Sequence, residues 1–363
     1  MLIILKKGAD EKEVARLLEN IKQSGYTYAR ANEGGADMIE LEGAPSYFQL
    51  DFFRSFAPVK KVVTSFEYRE KVYRAGGKKD TSVTVKGRRI GGGNIELIAG
   101  PCSVESYEQT ERIAEKLSKM GIRFFRGGAY KPRTSPYSFQ GLNENGLKIL
   151  SRIAKKYDMV IVTELLDVRN IDAVCEHADI IQIGTRNANN YALLKEVGKL
   201  KKPVLLKRGI SSTIKEFLLS AEYIMCQGNS EVILCERGIR TFESEAYRTS
   251  LDITAVSVVK EVSHLPIIVD PSHSAGAWNL VERLSLASIA AGADGIMVEV
   301  HDRPQEALSD AGQSLKPEKL KPLIKKAAEV AECFGKTFMC SAAAGGRKEN
   351  PSEKRRKIKS KKD

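Results

Sequence analysis

The chain is 363 residues long, 42% of them hydrophobic, and carries a formal net charge of +12. That size suits one large domain and a small one around a sizeable core, and no apolar run reaches the eighteen residues of a membrane span. Half of the positive excess lies in residues 347–363, where nine Lys/Arg face three Asp/Glu, which argues for a solvated tail more than for a nucleic-acid surface.

The start, Met1 to Lys7, is a short β-like segment without the cationic start, long apolar middle and cleavage site of a signal peptide. A cytoplasmic enzyme is expected. The apolar spacing predicts a strand over 2–5 and an amphipathic helix over 9–22 carrying Val14, Leu17, Leu18 and Ile21. Strands over 27–31 and 38–41 flank the turn signal Asn32-Glu33-Gly34-Gly35, and a short helix over 46–54 and a strand over 59–63 follow. The order βαββαβ makes residues 1–65 a ferredoxin-like α+β domain. Residues 66–94 form a linker, in which 82–85 and 88–90 pair as a hairpin around Lys86-Gly87 and cap something.

From residue 95 to about 340, β-rich runs alternate with helical stretches. The runs are 96–99, 122–126, 159–163, 180–183, 204–207, 232–235, 267–269 and 295–298, eight in all, and helices are predicted over 106–120, 141–157 and 317–333. Eight alternating units suit a (β/α)8 TIM barrel better than an open doubly wound sheet. Residues 341–363 are basic and almost without apolar side chains, as in a disordered tail. The six cysteines, at 102, 175, 226, 235, 333 and 340, form no CxxC pair and read as reduced thiols.

Catalytic groups in a barrel sit where the strands end. The residues there include Arg126, Lys131, Arg133, Arg186, Lys207 and Arg237, six cations that would converge on one mouth. Like charges packed together call for anionic ligands, and two phosphorylated substrates, one with a carboxylate, would satisfy them. Cys102, His273, Glu299 and Asp310 come from strands one, seven and eight, which are neighbours in a closed barrel. A mixed S/N/O donor set suits Mn, Fe, Zn or Co rather than Mg or Ca. His301 lies near the mouth as a supporting group; His177 and His264 read as structural.

Several segments together resemble one family. They are Ala99-Gly100-Pro101-Cys102, Arg126 to Pro136 with Lys131-Pro132-Arg133-Thr134-Ser135, Gln182-Ile183-Gly184, Leu206-Lys207-Arg208-Gly209, Cys235-Glu236-Arg237-Gly238 and Asp270-Pro271-Ser272-His273. They look like the type I 3-deoxy-D-arabino-heptulosonate 7-phosphate (DAHP) synthases, in the β subgroup with an N-terminal ferredoxin-like regulatory domain. The resemblance implies condensation of phosphoenolpyruvate with erythrose 4-phosphate, release of phosphate, and the first intermediate of the shikimate pathway. It implies a divalent metal on Cys102, His273, Glu299 and Asp310. Arg126, Arg186, Lys207 and Arg237 would grip phosphoenolpyruvate, and Arg133, Thr134 and Ser135 would face the aldose phosphate. Glu236 and Asp270 are placed with the substrate groups, and Lys131 with proton transfer, beside Cys102 and His273. The resemblance further implies feedback inhibition by tyrosine or phenylalanine and a homotetramer.

The stretch His301-Asp302-Arg303-Pro304-Gln305 departs from the subgroup and makes Asp302 an alternative ligand to Asp310. The N-terminal segment does not read as a helical chorismate mutase module, so fused mutase activity is not expected. The nearest rival, 3-deoxy-D-manno-octulosonate 8-phosphate synthase, takes arabinose 5-phosphate and resembles Lys-Ala-Asn-Arg-Ser where this chain has Lys-Pro-Arg-Thr-Ser. A non-catalytic binding or sensor protein is the rival from another class.

Overall fold

The computed structural model describes residues 1–33, 35–42, 52–63, 71–74, 79–243 and 245–340. The chain divides into two compact units, Met1–Lys78 and Lys79–Asp363. The tail over 341–363 and most of the short helix expected over 46–54 lie outside the described residues; 52–54 are helical.

In the first unit, strands β1 (Leu2–Leu5), β2 (Thr27–Glu33), β3 (Ala36–Glu42) and β4 (Val59–Val63) form one sheet in the order β2-β3-β1-β4, antiparallel throughout. The helix Glu11–Gln23 starts two residues later than its apolar spacing suggested, because Asp10 caps it by accepting from the Lys12 N–H at 3.0 Å. Its Val14, Leu17 and Ile21 pack on Ile3, Leu5, Ile39 and Leu41 from the sheet. Alternate residues of β1 and one stripe of the helix thus supply a single core.

In the second unit, eight parallel strands pair in chain order: β7 (Asn94–Gly100), β8 (Phe124–Arg126), β9 (Val160–Glu164), β10 (Ile180–Ile183), β11 (Val204–Lys207), β12 (Val232–Glu236), β13 (Ile267–Val269) and β14 (Gly295–Glu299). Pairing of β14 with β7 over Gly295↔Glu96 to Glu299↔Gly100 closes the barrel. The strands are Val/Ile/Leu-rich because helices cover one face and the barrel core the other. A two-residue strand, β15 (Thr337–Phe338), adds to the start of β7. No helix among the described residues is long and apolar enough to cross a membrane.

The hairpin of β5 (Val83–Val85) and β6 (Arg88–Ile90) belongs to this unit. Val83, Val85 and Ile90 enter the apolar cluster inside the barrel with Ile98, Phe124 and Val160. Lys86 reaches the Met159 carbonyl at 3.3 Å and Asp179 at 2.7 Å, both at the N-terminal ends of strands. The hairpin therefore plugs the N-terminal mouth and leaves the polar strand ends open at the other.

Candidate active site

The open mouth holds a cavity of about 580 Å³ lined by Arg126, Lys131, Arg133 to Ser135, Arg186, Lys207, Arg237 and His273, among others. The six cations read from the strand ends all reach it. Arg126 and Lys207 are buried and held by carboxylates, Arg126 in an ion pair with Glu299 and Lys207 at 2.5 Å from Asp270 Oδ2. Burial opposes the charge of Arg126, yet Glu299 beside it raises its pKa. Arg186 is exposed, donating to the Pro132 carbonyl at 3.3 Å. Strand β7 must end in glycine here, because a Cβ at Gly100 would lie 2.0 Å from the Arg126 carbonyl oxygen.

At the floor, one donor atom each from Cys102, His273, Glu299 and Asp310 lies within 4.8 Å of the others. The pairs within the group are short: Cys102 Sγ to Asp310 Oδ2 at 3.0 Å, and His273 Nε2 to Glu299 Oε1 at 3.1 Å. Burial, with Glu299 nearby, pushes the Cys102 thiol up to about 12. Burial opposes ionisation of both carboxyls. Asp310 is nevertheless brought down to about 2 by the Cys102 hydrogen bond and nearby cations, and Glu299 is lowered by His273 and Arg126. Burial lowers His273 and so favours its neutral, ligating form. Two anionic oxygens, a neutral imidazole and a thiol that a cation would deprotonate fit a borderline divalent metal. Asp302 sits elsewhere, 2.6 Å from Arg112 Nε, so Asp310 and not Asp302 belongs to the cluster.

Asp270 is fully buried and joins two parts of the site. Its Oδ2 accepts from Lys207 Nζ and, at 2.7 Å, from His273 Nδ1, while Oδ1 accepts from the His273 N–H at 3.0 Å. Burial alone would raise its pKa, but His273 and Lys207 hold it well below the carboxylate range. Glu236, also fully buried, accepts from Arg208 at 2.8 Å and from the Gly238 N–H at 2.5 Å. At these strand ends both carboxylates face neighbouring cations, Asp270 toward Lys207 and Glu236 toward Arg208. Lys131 is buried 3.1 Å from Cys102 Sγ, and its pKa is raised although burial opposes it, chiefly by Cys102.

The sequence pattern of the DAHP synthetase I family matches residues 78–334. The chain belongs to this family. A phospho-2-dehydro-3-deoxyheptonate aldolase of Thermotoga maritima is 47% identical over 335 residues, 92% of this chain and 99% of its own length. The crystal structure of that enzyme from Thermotoga maritima, described as DAHP synthase, aligns with a TM-score of 0.74 at 46% identity, covering 93% of this chain and 98% of the other. A 2-dehydro-3-deoxyphosphooctonate aldolase of Geobacter sulfurreducens is more distant, 31% identical over 264 residues, 67% of this chain and 95% of its own.

Within the DAHP synthetase barrel, Glu164, which ends β9, lines the cavity as its strand-end position implies, whereas Arg240, Arg248 and Gln313 were not marked by the sequence. Arg240 and Arg248 line it from the long loop after β12, too far from a strand end to be flagged. Gln313 donates to Glu299 Oε2 at 2.7 Å, and nothing in its local sequence marks it.

Proposed function

We infer that this chain condenses phosphoenolpyruvate with erythrose 4-phosphate, giving DAHP and inorganic phosphate. The observation that carries the reading is membership of the DAHP synthetase I family at 47% identity to the Thermotoga maritima enzyme over nearly the whole chain. The placement of the Lys131–Ser135 run beside the four-donor cluster supports it.

In this reading Arg126, Arg186, Lys207 and Arg237 receive the phosphate and carboxylate of phosphoenolpyruvate. Arg133, Thr134 and Ser135, on the outer wall, receive the aldose phosphate. Cys102, His273, Glu299 and Asp310 hold a divalent metal, which when bound supplies Lewis-acid polarisation of the aldehyde oxygen. The clamps hold the phosphoenolpyruvate methylene against the aldehyde carbon, so that the new C–C bond forms between reactants already fixed in place. Lys131, kept protonated among acidic neighbours, offsets negative charge on the former aldehyde oxygen and supplies its proton. Water adds at the cationic C2 of the former phosphoenolpyruvate, one of its protons restoring Lys131, and as the C2 carbonyl forms the C2–O bond to phosphate breaks and the second proton leaves with inorganic phosphate. Asp270 fixes the His273 tautomer and the Lys207 ammonium at once.

Residues 1–65 bind tyrosine or phenylalanine as a feedback inhibitor, a role that the ferredoxin-like strand order of the first unit supports. A substrate-depletion assay tests the whole reading. Protein with Mn²⁺ and phosphoenolpyruvate is offered erythrose 4-phosphate or arabinose 5-phosphate, with and without EDTA. EDTA-sensitive turnover with erythrose 4-phosphate alone is expected. Turnover only with arabinose 5-phosphate would move the chain to the octulosonate chemistry, and none with either would refute an enzymatic role. Deleting residues 1–65 should abolish the inhibition and spare the turnover.

A further inference from the structure

One neutral side chain outside the four donors touches the cluster and ties its two carboxylates together. Gln313 is 2% exposed, and its Nε2 donates to Glu299 Oε2 at 2.7 Å. Its Oε1 accepts from Arg248 Nη1 at 3.1 Å. These partners determine which way the amide points. A guanidinium can only donate and a carboxylate can only accept, so the oxygen must face Arg248 and the nitrogen Glu299.

The backbone of Gln313 is tied to the other carboxylate. Asp310 has left-handed geometry, φ 50° and ψ 41°, and caps the single 3-10 turn Ala311–Gln313. The Gln313 N–H donates back to the Asp310 carbonyl at 3.4 Å, and Arg248 Nη1 reaches Asp310 Oδ1 at 3.4 Å. Arg248 is anchored in turn, its N–H donating to the Ala275 carbonyl at the end of the short helix that carries His273.

We propose that Gln313, oriented by Arg248, is a positioning residue for the metal centre: it holds Glu299 so that Oε1 faces His273 while its own turn presents Asp310. The inference rests on the metal centre put forward above. A carboxylate rotates easily about its last torsion, so a buried donor on one oxygen is an effective way to aim the other. Gln313→Leu keeps the volume, removes that donor and leaves Glu299 Oε2 buried without it. Arg248→Met lets the amide turn over, and Arg248→Lys restores a donor-only neighbour.

The test is the Mn²⁺ dissociation constant of metal-stripped full-length protein, read by electron paramagnetic resonance of free Mn²⁺, with the melting temperature of the metal-free protein alongside. Gln313→Leu should weaken binding about 10- to 100-fold. Arg248→Met should weaken it by a smaller factor, and Arg248→Lys should bind like wild type. The sign for Arg248 is diagnostic, because deleting a cation beside Asp310 would by electrostatics alone tighten Mn²⁺ binding. A Gln313→Leu protein within about twofold of wild type, or a tighter Arg248→Met, overturns the inference, as does a change confined to the melting temperature. Wild type that binds no Mn²⁺ overturns the metal centre and this inference together; wild-type binding with an unaffected Gln313→Leu overturns this inference alone.

Discussion

Asp270→Asn is the most informative single change, because the volume is kept while the charge and the proton pattern alter. Asp270 Oδ2 accepts from both Lys207 Nζ and His273 Nδ1, and Oδ1 accepts from the His273 N–H. An asparagine has one acceptor oxygen, and either way of placing it sets a donor against a donor. With the oxygen toward Lys207, the amide NH₂ meets the His273 backbone N–H and the cap of the short helix is lost. With the oxygen toward that N–H, the NH₂ faces Lys207 and Nδ1. His273 must then accept on Nδ1 and carry its proton on Nε2, the nitrogen that faces Glu299. Lys207, only 5% exposed at its side chain, meanwhile loses the carboxylate that offsets its charge. Breaking a buried pair from one side costs roughly 3–5 kcal/mol. For a domain of this size that lowers the melting temperature by about 5–15 °C, and loss of a carboxylate behind a ligating histidine weakens metal binding about 10- to 100-fold. Because Asp270 is held well below its ordinary pKa, its contribution is complete above the unfolded value of about 3.9 and is lost only as acid protonates it. The stability gap between variant and wild type should therefore be flat from about pH 6 to 9 by urea unfolding. A variant that melts with wild type and binds Mn²⁺ equally would refute the reasoning.

Two further expectations follow from single contacts. Burial, partly opposed by Arg88, pushes the Glu96 carboxyl up to about 8, so between the unfolded value of about 4.3 and that point the native state holds a proton that the unfolded state has lost. Stability should fall as pH rises through this window, and Glu96→Gln should gain on wild type by on the order of a few kcal/mol at pH 9; equal pH slopes in urea melts would count against it. In Gly184→Ala the new Cβ would fall 1.8 Å from Glu164 Oε1, the end of a side chain that can swing away. The fold should lose only about 1–3 kcal/mol while kcat/KM falls by up to about 100-fold, because Glu164 leaves the cavity wall; a loss of stability with normal kinetics would contradict this.

The barrel was legible because its strands are enclosed on both faces, which leaves unbroken Val/Ile/Leu runs between polar ends. Boundaries were less so, for local reasons. The run expected over 122–126 is a strand only at Phe124–Arg126, since the Ile122 N–H donates back to the Leu117 carbonyl as the preceding helix closes. The helix expected over 141–157 begins at Glu144, after Gly141 and Asn143 take positive φ. That over 317–333 opens with a 3-10 turn before its α-helix starts at Leu320. Strand β15 was invisible, because two residues carry no period and only pairing with Asn94 and Ile95 makes them a strand. At the site, the rule that chemistry follows strand ends found Cys102, Lys131 and His273. It could not say which way Glu236 and Asp270 point, nor choose between Asp302 and Asp310 in one loop. Those choices depend on Arg208, Lys207, Arg112 and Arg248, all distant in sequence.

The cations of the mouth divide by what already compensates them, and that division carries the chemistry. Arg126, Lys207 and Arg208 each meet a buried carboxylate, Glu299, Asp270 and Glu236 respectively, contributed by another strand end. Removing such a pair's carboxylate would leave a cation in a low-dielectric wall, so these three hold the barrel rim in register as well as charging it. Arg237 is different. It is buried, its hydrogen bond goes to the neutral His273 carbonyl, and burial lowers its pKa despite Asp270. A guanidinium held below its usual affinity for protons is one whose charge the protein has not fully offset, and an incoming phosphate or carboxylate would complete it. Arg133, Arg186, Arg240 and Arg248 continue the positive wall outward to solvent, where screening makes their mutual repulsion small. The depth of the site thus combines cations already paired with carboxylates and Arg237, whose hydrogen bond goes to the His273 carbonyl beside the cluster of Cys102, His273, Glu299 and Asp310. In the proposed reaction the anionic end of a substrate would meet Arg237 there, with its reactive carbon toward the four donors that would hold the metal.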